Sequence, residues 1–239
     1  MIDLSDYGMD LKFDERKGEL VGFSGERGVR KLSEMREMFP DPGSSVEDLY
    51  FMFRGVDEFD DIRYDITALS PGMVGDEYIK TKGHYHPDAF PEVYEVMSGR
   101  AYYLIQRSVE PFARVDDVIL IKAKAGDKVL IPPHYGHVTI NPSDSYLLMN
   151  NLVSKRFSSV YAPYERFRGA VYYMTSGGAV KNDGYTEAPE LKVARPKEAP
   201  EFGLIGGKSL YRCISDDKGA FEYLNGAAEC DLSSALDIQ

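Results

Sequence analysis

Tryptophan is absent from the 239 residues, cysteine occurs twice and histidine four times. Two thiols, Cys213 and Cys230, are too few for a disulfide framework and fit a reducing compartment. No apolar run reaches the roughly 18 residues that a membrane span needs. The opening MIDLSDYGMD lacks the basic start and apolar block of a signal peptide. These absences lead to the expectation of a cytoplasmic protein that does not enter a membrane. Positive charge is also in short supply: 28 Lys and Arg stand against 39 Asp and Glu, a net charge of −11. Such a surface repels phosphate backbones and excludes nucleic acid as a general partner. A small anion remains acceptable where a pocket gathers local donors.

What is present points to sheet. The chain is 43% hydrophobic, enough for a sizeable core, and 17 tyrosines favour β-structure and can donate to a polyol. Residues 1–29 read as an irregular, strand-poor lead-in. Residues 30–39, RKLSEMREMF, show Leu32, Met35 and Phe39 on one helical face, stopped by Pro40 and Pro42. From about residue 46 to 175 the pattern becomes a series of short β-runs: 48–53, 63–69, 92–97, 101–107, 118–123, 127–132, 138–140, 145–152 and 170–174. Turn residues such as PGMVG, MSGR, KAGD and NPSD divide them. Many short strands between turns predict an all-β sandwich or barrel. The expected division is an N-terminal arm with a short helix (1–45), a barrel (46–190) and a C-terminal extension of unknown role (191–239). Within that extension RPKEAPEFG (195–203) reads as a linker, SLYRC (209–213) as a strand, and the last residues as a short helix.

The four histidines come as two pairs, His84/His86 and His134/His137. On a strand, positions i and i+2 face the same side, so His84 and His86 can both point inward. Glu92 follows at the start of the next strand, past the PDAFP turn, and can return to the same interior. The Pro132-Pro133 step ends a strand, after which His137 opens VTI and can project inward. Three imidazoles and a carboxylate form a mixed N/O set that suits Fe, Mn, Ni, Zn or Co with positions left open. His134 follows Pro133 in the turn and reads as an exposed loop residue.

At these residues the sequence resembles the cupin superfamily. The first cupin motif stands as Gly83-His84-Tyr85-His86, Pro91-Glu92-Val93-Tyr94 and Gly99; the second as Gly126-Asp127, Ile131-Pro132-Pro133, His137 and Asn141. TKGHYH (81–86), PEVYEVMSG (91–99) and IPPHYGH (131–137), with SPGMVGDEY (70–78) and RKLSEM (30–35), look more narrowly like the cupin-type glucose-6-phosphate isomerases known chiefly from archaea. The resemblance spans about residues 10–175. It implies a double-stranded β-helix (jelly-roll) barrel, a homodimer, and interconversion of glucose 6-phosphate and fructose 6-phosphate. It also implies one divalent metal on His84, His86, Glu92 and His137, Fe(II) first, with Mn(II), Ni(II) or Zn(II) as alternatives. Substrate contacts are implied at Tyr50, Thr67, Thr81, Gly83, Tyr94 and Tyr161. The family pattern carries a histidine just before the tyrosine matching Tyr161; here Ser158 and Ser159 stand nearby.

For the isomerisation Glu92 is the candidate base that takes the C2 proton and returns it at C1, or else only a ligand beside a hydride shift. Tyr94, two residues on, shares its face and can donate to a sugar oxygen. For the phosphate, the Thr81 hydroxyl and Gly83 N–H are favoured over Lys82, which strand alternation turns away. Two other classes stay open: a metal-dependent cupin oxygenase, and a non-catalytic cupin that binds sugar phosphate.

Overall fold

The computed structural model describes residues 1–87, 89–109, 112–226 and 232–239. Its strands, in chain order, are β1 (Ile2–Asp3), β2 (Lys12–Asp14), β3 (Glu19–Val21), β4 (Arg27–Lys31), β5 (Asp48–Phe59), β6 (Ile62–Leu69), β7 (Met73–Val74), β8 (Glu77–Tyr78), β9 (Glu92–Ser98), β10 (Arg100–Val109), β11 (Arg114–Lys124), β12 (Lys128–Ile131), β13 (Tyr135–Ile140), β14 (Leu147–Ser154), β15 (Tyr172–Thr175), β16 (Gly178–Lys181), β17 (Lys192–Pro196) and β18 (Leu236–Ile238). The α-helices are short: α1 (Leu32–Met35), α2 (Ala162–Arg166), α3 (Leu210–Asp216) and α4 (Leu232–Ala235). No helix among the described residues is long and apolar enough to cross a membrane.

Two sheets form the barrel. One runs β12-β9-β14-β6-β5-β4 and the other β13-β10-β11-β17-β18. An all-β barrel is therefore the observed fold, and each of the nine expected β-runs has its strand. Between the sheets lies one apolar core, including Leu69, Val96, Ile105, Ile119, Val138 and Ile140. Sheet β15-β16 with β7-β8 adds a flap of four strands.

The six-stranded sheet is covered on its outer side as well. A second core joins Phe53, Tyr64, Ile66, Val93 and Leu152 of that sheet to Leu4, Phe13 and Leu20 from the N-terminus and Leu210, Ile214, Phe221 and Leu224 from the C-terminal segment. This explains why β14 is buried at every residue rather than at alternate ones. Glu95, on the outer face of β9, is 1% exposed. Its Oε2 accepts the Leu210 N–H at 2.9 Å and the Asn150 amide at 2.9 Å. The C-terminal segment is thereby tied to the back of the strand that carries Glu92.

Several local expectations are corrected. Residues 1–29 are not strand-poor: β1, β2 and β3 form a sheet, and β4 joins the barrel. The helix expected over 30–39 is shorter, since residues 30–31 lie in β4; α1 is followed by a 3₁₀ turn over Arg36–Met38. Its apolar face holds nonetheless, with Leu32, Met35 and Phe39 all buried. SLYRC is helix rather than strand because the Ser209 hydroxyl caps it, accepting the Arg212 N–H at 3.3 Å. The linker expected at 195–203 instead starts in β17, which pairs in parallel with β11. Cys213 is a buried free thiol, and Cys230 lies outside the described residues.

Candidate metal centre

Four side chains meet inside the barrel. His84 and His86 come from the segment before β9, Glu92 opens β9, and His137 lies in β13. The backbones of His84 and His137 are bridged, with His84 N–H donating to the His137 carbonyl at 3.2 Å and His137 N–H to the His84 carbonyl at 3.0 Å. That bridge brings the distant second pair to the first. One donor atom from each residue lies within 4.8 Å of all the others. His86 Nε2 and His137 Nε2 each stand 3.2 Å from Glu92 Oε2, and His84 Nε2 stands 4.0 Å from it. Donors about 2.1 Å from a shared first-row ion stand roughly 3 Å apart, so the spacing fits one cation.

The local chemistry supports that fit. His86 Nδ1 is 3.0 Å from the Phe90 carbonyl, which fixes the proton on Nδ1 and turns the Nε2 lone pair inward. The Nε2 atoms of His84 and His86 then approach to 3.2 Å, an arrangement that a shared cation relieves. Glu92 Oε2 is buried without a hydrogen-bond partner, while Oε1 accepts the Asn151 amide at 2.8 Å. Burial, then the neighbouring His137 and His86, hold the His84 imidazole well below its usual range; burial also lowers His137, with Glu92 opposing. Both stay neutral, as ligation requires. Burial works to raise the Glu92 carboxyl, but the His137 and His86 imidazoles beside Oε2 outweigh it and hold the group well below its usual range. Phe157 covers His86, ring centroids 4.4 Å apart, and closes that side.

A cavity opens from the cluster, bordered by Tyr50, Thr67, Thr81, Gly83, Tyr94 and Tyr161, so every expected contact position faces one space. Tyr94 Oη lies 3.0 Å from His137 Nε2. Burial and the Glu92 charge push its phenol well above the usual range, so it remains a donor. Thr81 Oγ1 accepts the Thr139 N–H at 2.9 Å, which leaves the hydroxyl proton free. The Tyr50 oxygen accepts the Lys82 N–H at 3.3 Å.

Lys82 corrects the expectation that it turns away. It borders the cavity, with Nζ 5.4 Å from the Tyr161 ring centroid and 2.5 Å from Glu165 Oε1. Strand alternation fails here because Gly83 has a φ of 78°, which breaks the extended run. His134 is exposed in a left-handed turn and outside the cluster. Sequence reasoning missed Arg54, Arg63, Asp65 and Asn151, which border the same cavity. Their inward alternation on β5, β6 and β14 was the available signal.

Gly83 is required by packing. A Cβ there meets Val138 Cγ2 at 2.5 Å and the Tyr164 ring at 2.8 Å, on a left-handed backbone. Gly83→Ala is therefore expected to cost about 2–3 kcal/mol and lower the melting temperature by roughly 5–10 °C. An unchanged thermal melt contradicts this packing role.

Comparison with known proteins follows the same residues. A family model described as glucose-6-phosphate isomerase (GPI) matches residues 32–190. A glucose-6-phosphate isomerase of Thermococcus litoralis is 32% identical over 150 residues, covering 56% of this chain and 76% of its own. That of Thermococcus gammatolerans is 33% identical over 141 residues, covering 55% and 70%. A solved oxalate oxidase aligns with a TM-score of 0.40 and 18% identity over 66% of this chain and 81% of that one.

Proposed function

This chain belongs to the glucose-6-phosphate isomerase family, and from that premise we propose that it interconverts glucose 6-phosphate and fructose 6-phosphate with one divalent metal on His84, His86, Glu92 and His137. The convergence of those four donors on one point inside a cavity carries the reading. Fe(II) is the first expectation for the ion, which when bound supplies Lewis-acid polarisation of O1 and O2 of the open-chain sugar.

The chain's own residues divide the remaining work. Tyr50, Thr67, Thr81 and Gly83 receive the phosphate end, with the Thr81 hydroxyl donating. Tyr161 walls the sugar beside His84, ring centroids 5.5 Å apart. The Tyr94 phenol donates to a sugar oxygen. In the enediol route Glu92 takes the C2 proton and returns it at C1. A second reading keeps Glu92 purely as a ligand while the C2 hydrogen moves with its electron pair to C1. The Asn151 hold on Oε1 and the lowered pKa of the carboxyl, which makes its carboxylate a weaker base, favour that second route. Sugar phosphate as the small-molecule partner and a homodimer as the assembly are both taken from the resemblance.

The test is a coupled assay of fructose 6-phosphate turnover on metal-loaded protein, run also with glucose 6-phosphate deuterated at C2. Turnover is expected; deuterium kept at C1 marks the hydride route, and deuterium lost to water marks the Glu92 route. Oxygen uptake without isomerisation, or tight binding without turnover, overturns the isomerase reading.

A further inference from the structure

Three cationic side chains border the cavity, and two of them have carboxylate partners. Lys82 pairs with Glu165, and Arg63 Nε lies 2.8 and 2.9 Å from the two oxygens of Asp65. Arg54 differs. Among the described residues its guanidinium makes only a long contact, 3.9 Å from Nη2 to Met52 Sδ. The residue is exposed where it borders the cavity, so its guanidinium donors are solvated and free to meet an anionic group that enters.

The backbone holds Arg54 in this place. Tyr50 and Met52 border the cavity, while Phe51 and Phe53 pack in the outer core. The ladder then breaks: Phe53 pairs with Ile66, and the next pair is Asp57 with Tyr64. Residues 54–56 thus oppose the single Asp65. Gly55 takes a φ of 63° in this bulge, and its N–H donates to Asp65 Oδ1 at 2.8 Å. Asp65 is 7% exposed and is neutralised by Arg63, so a buried carboxylate pins the bulge and leaves Arg54 on the cavity side.

The register gives the level at which it stands. Asp65 pairs with Asn151, Asn151 pairs with Tyr94, and the Asn151 amide holds Glu92. Arg54 therefore sits at the level of the metal-ligating cluster. Tyr50 lies four residues back along β5, about 13 Å away at strand spacing.

We propose that Arg54 is a catalytic residue of the isomerisation, its guanidinium donating to O1 or O2 of the open-chain sugar and taking up the negative charge that builds there. This rests on the isomerase reading above. Both routes need the same help, because the enediol path and the hydride path each leave an anionic oxygen at C1 or C2. Arg54 forms and breaks no covalent bond, and the phosphate stays at the Tyr50 end.

The experiment compares metal-loaded wild type with Arg54→Gln and Arg54→Lys. It reads kcat, KM, the affinity for inorganic phosphate, and the affinity for a five-carbon aldonate 5-phosphate whose carboxylate occupies the place of O1 and O2. Arg54→Gln is expected to lower kcat about 10²-fold with KM within about threefold. Aldonate affinity should fall about 10-fold or more and phosphate affinity stay unchanged. Arg54→Lys, which retains the charge and guards against a folding defect, should recover part of kcat. Unchanged kcat, a raised KM with intact kcat, or an equal loss of phosphate affinity overturns the assignment. Absence of turnover in the metal-loaded wild type overturns the isomerase reading itself, and Arg54's role with it.

Discussion

Replacing Glu92 by glutamine is expected to lower kcat by about 10³-fold while leaving sugar-phosphate affinity within about tenfold. The two effects separate because they arise at different atoms. Glutamine keeps an Oε1 for the Asn151 amide, so the hydrogen bond at 2.8 Å survives and the top of β9 stays in place. What changes is Oε2, which in wild type faces His86 and His137 at 3.2 Å. A neutral amide there is a poor ligand and no base, so either route fails at the chemical step. The phosphate contacts proposed at Tyr50, Thr67 and Thr81 come from other strands and are untouched. Steady-state kinetics with equilibrium binding of fructose 6-phosphate checks this, and normal turnover by the variant removes Glu92 from the mechanism.

Stripping the protein with a chelator is expected to be as severe. Turnover should fall about 10³-fold and return when Fe(II), Mn(II) or Ni(II) is added. Stability should fall with it, since the loaded form is favoured by about 4 kcal/mol at free metal 1,000 times its dissociation constant. That corresponds to a melting point roughly 10 °C lower for a chain of this size. The physical source is local: His84 and His86 bring two Nε2 atoms within 3.2 Å, and Glu92 Oε2 is buried without a hydrogen-bond donor. Without a cation these groups oppose the fold. Calorimetry on stripped and reloaded protein reads the difference, and coincident melts contradict it.

The donor cluster was legible because its logic is local. His84 and His86 are two apart, Glu92 opens the next strand, and the Pro132-Pro133 step marks where His137 begins its run. The main barrel strands were legible for a related reason, since runs such as VILIKA and SYLLMN are long and rich in β-formers. The N-terminal sheet was not. Strands β1, β2 and β3 are two or three residues long, and β2 and β3 bury one side chain each, Phe13 and Leu20, which is too little for a period to show. The helix at 210–216 reads as strand because the apolar run is short and Tyr211 favours sheet, while the deciding signal is a single capping hydroxyl on Ser209. Lys82 failed for a backbone reason. Alternation assigns faces only while the backbone stays extended, and Gly83 interrupts it. The buried carboxylate that fixes the bulge at Gly55 belongs to Asp65 on the neighbouring strand, a partnership with no trace in local sequence.

The role of the C-terminal segment depends on contacts of the same non-local kind. Phe221 and Leu224 are fully buried against the back of the six-stranded sheet, and Leu210 reaches Glu95 through its backbone N–H. The matched family region ends at residue 190, so this support for β9 is supplied from outside it. It holds the strand bearing Glu92 and Tyr94 from behind, while Asn151 holds Glu92 from within the barrel.

Titrating metal-free protein with Fe(II) or Mn(II) while following glucose 6-phosphate isomerisation tests the central claim most directly. If the four donors share one ion, activity rises in proportion to added metal and levels at one equivalent per chain. Full activity before any metal is added, or none at saturation, contradicts it.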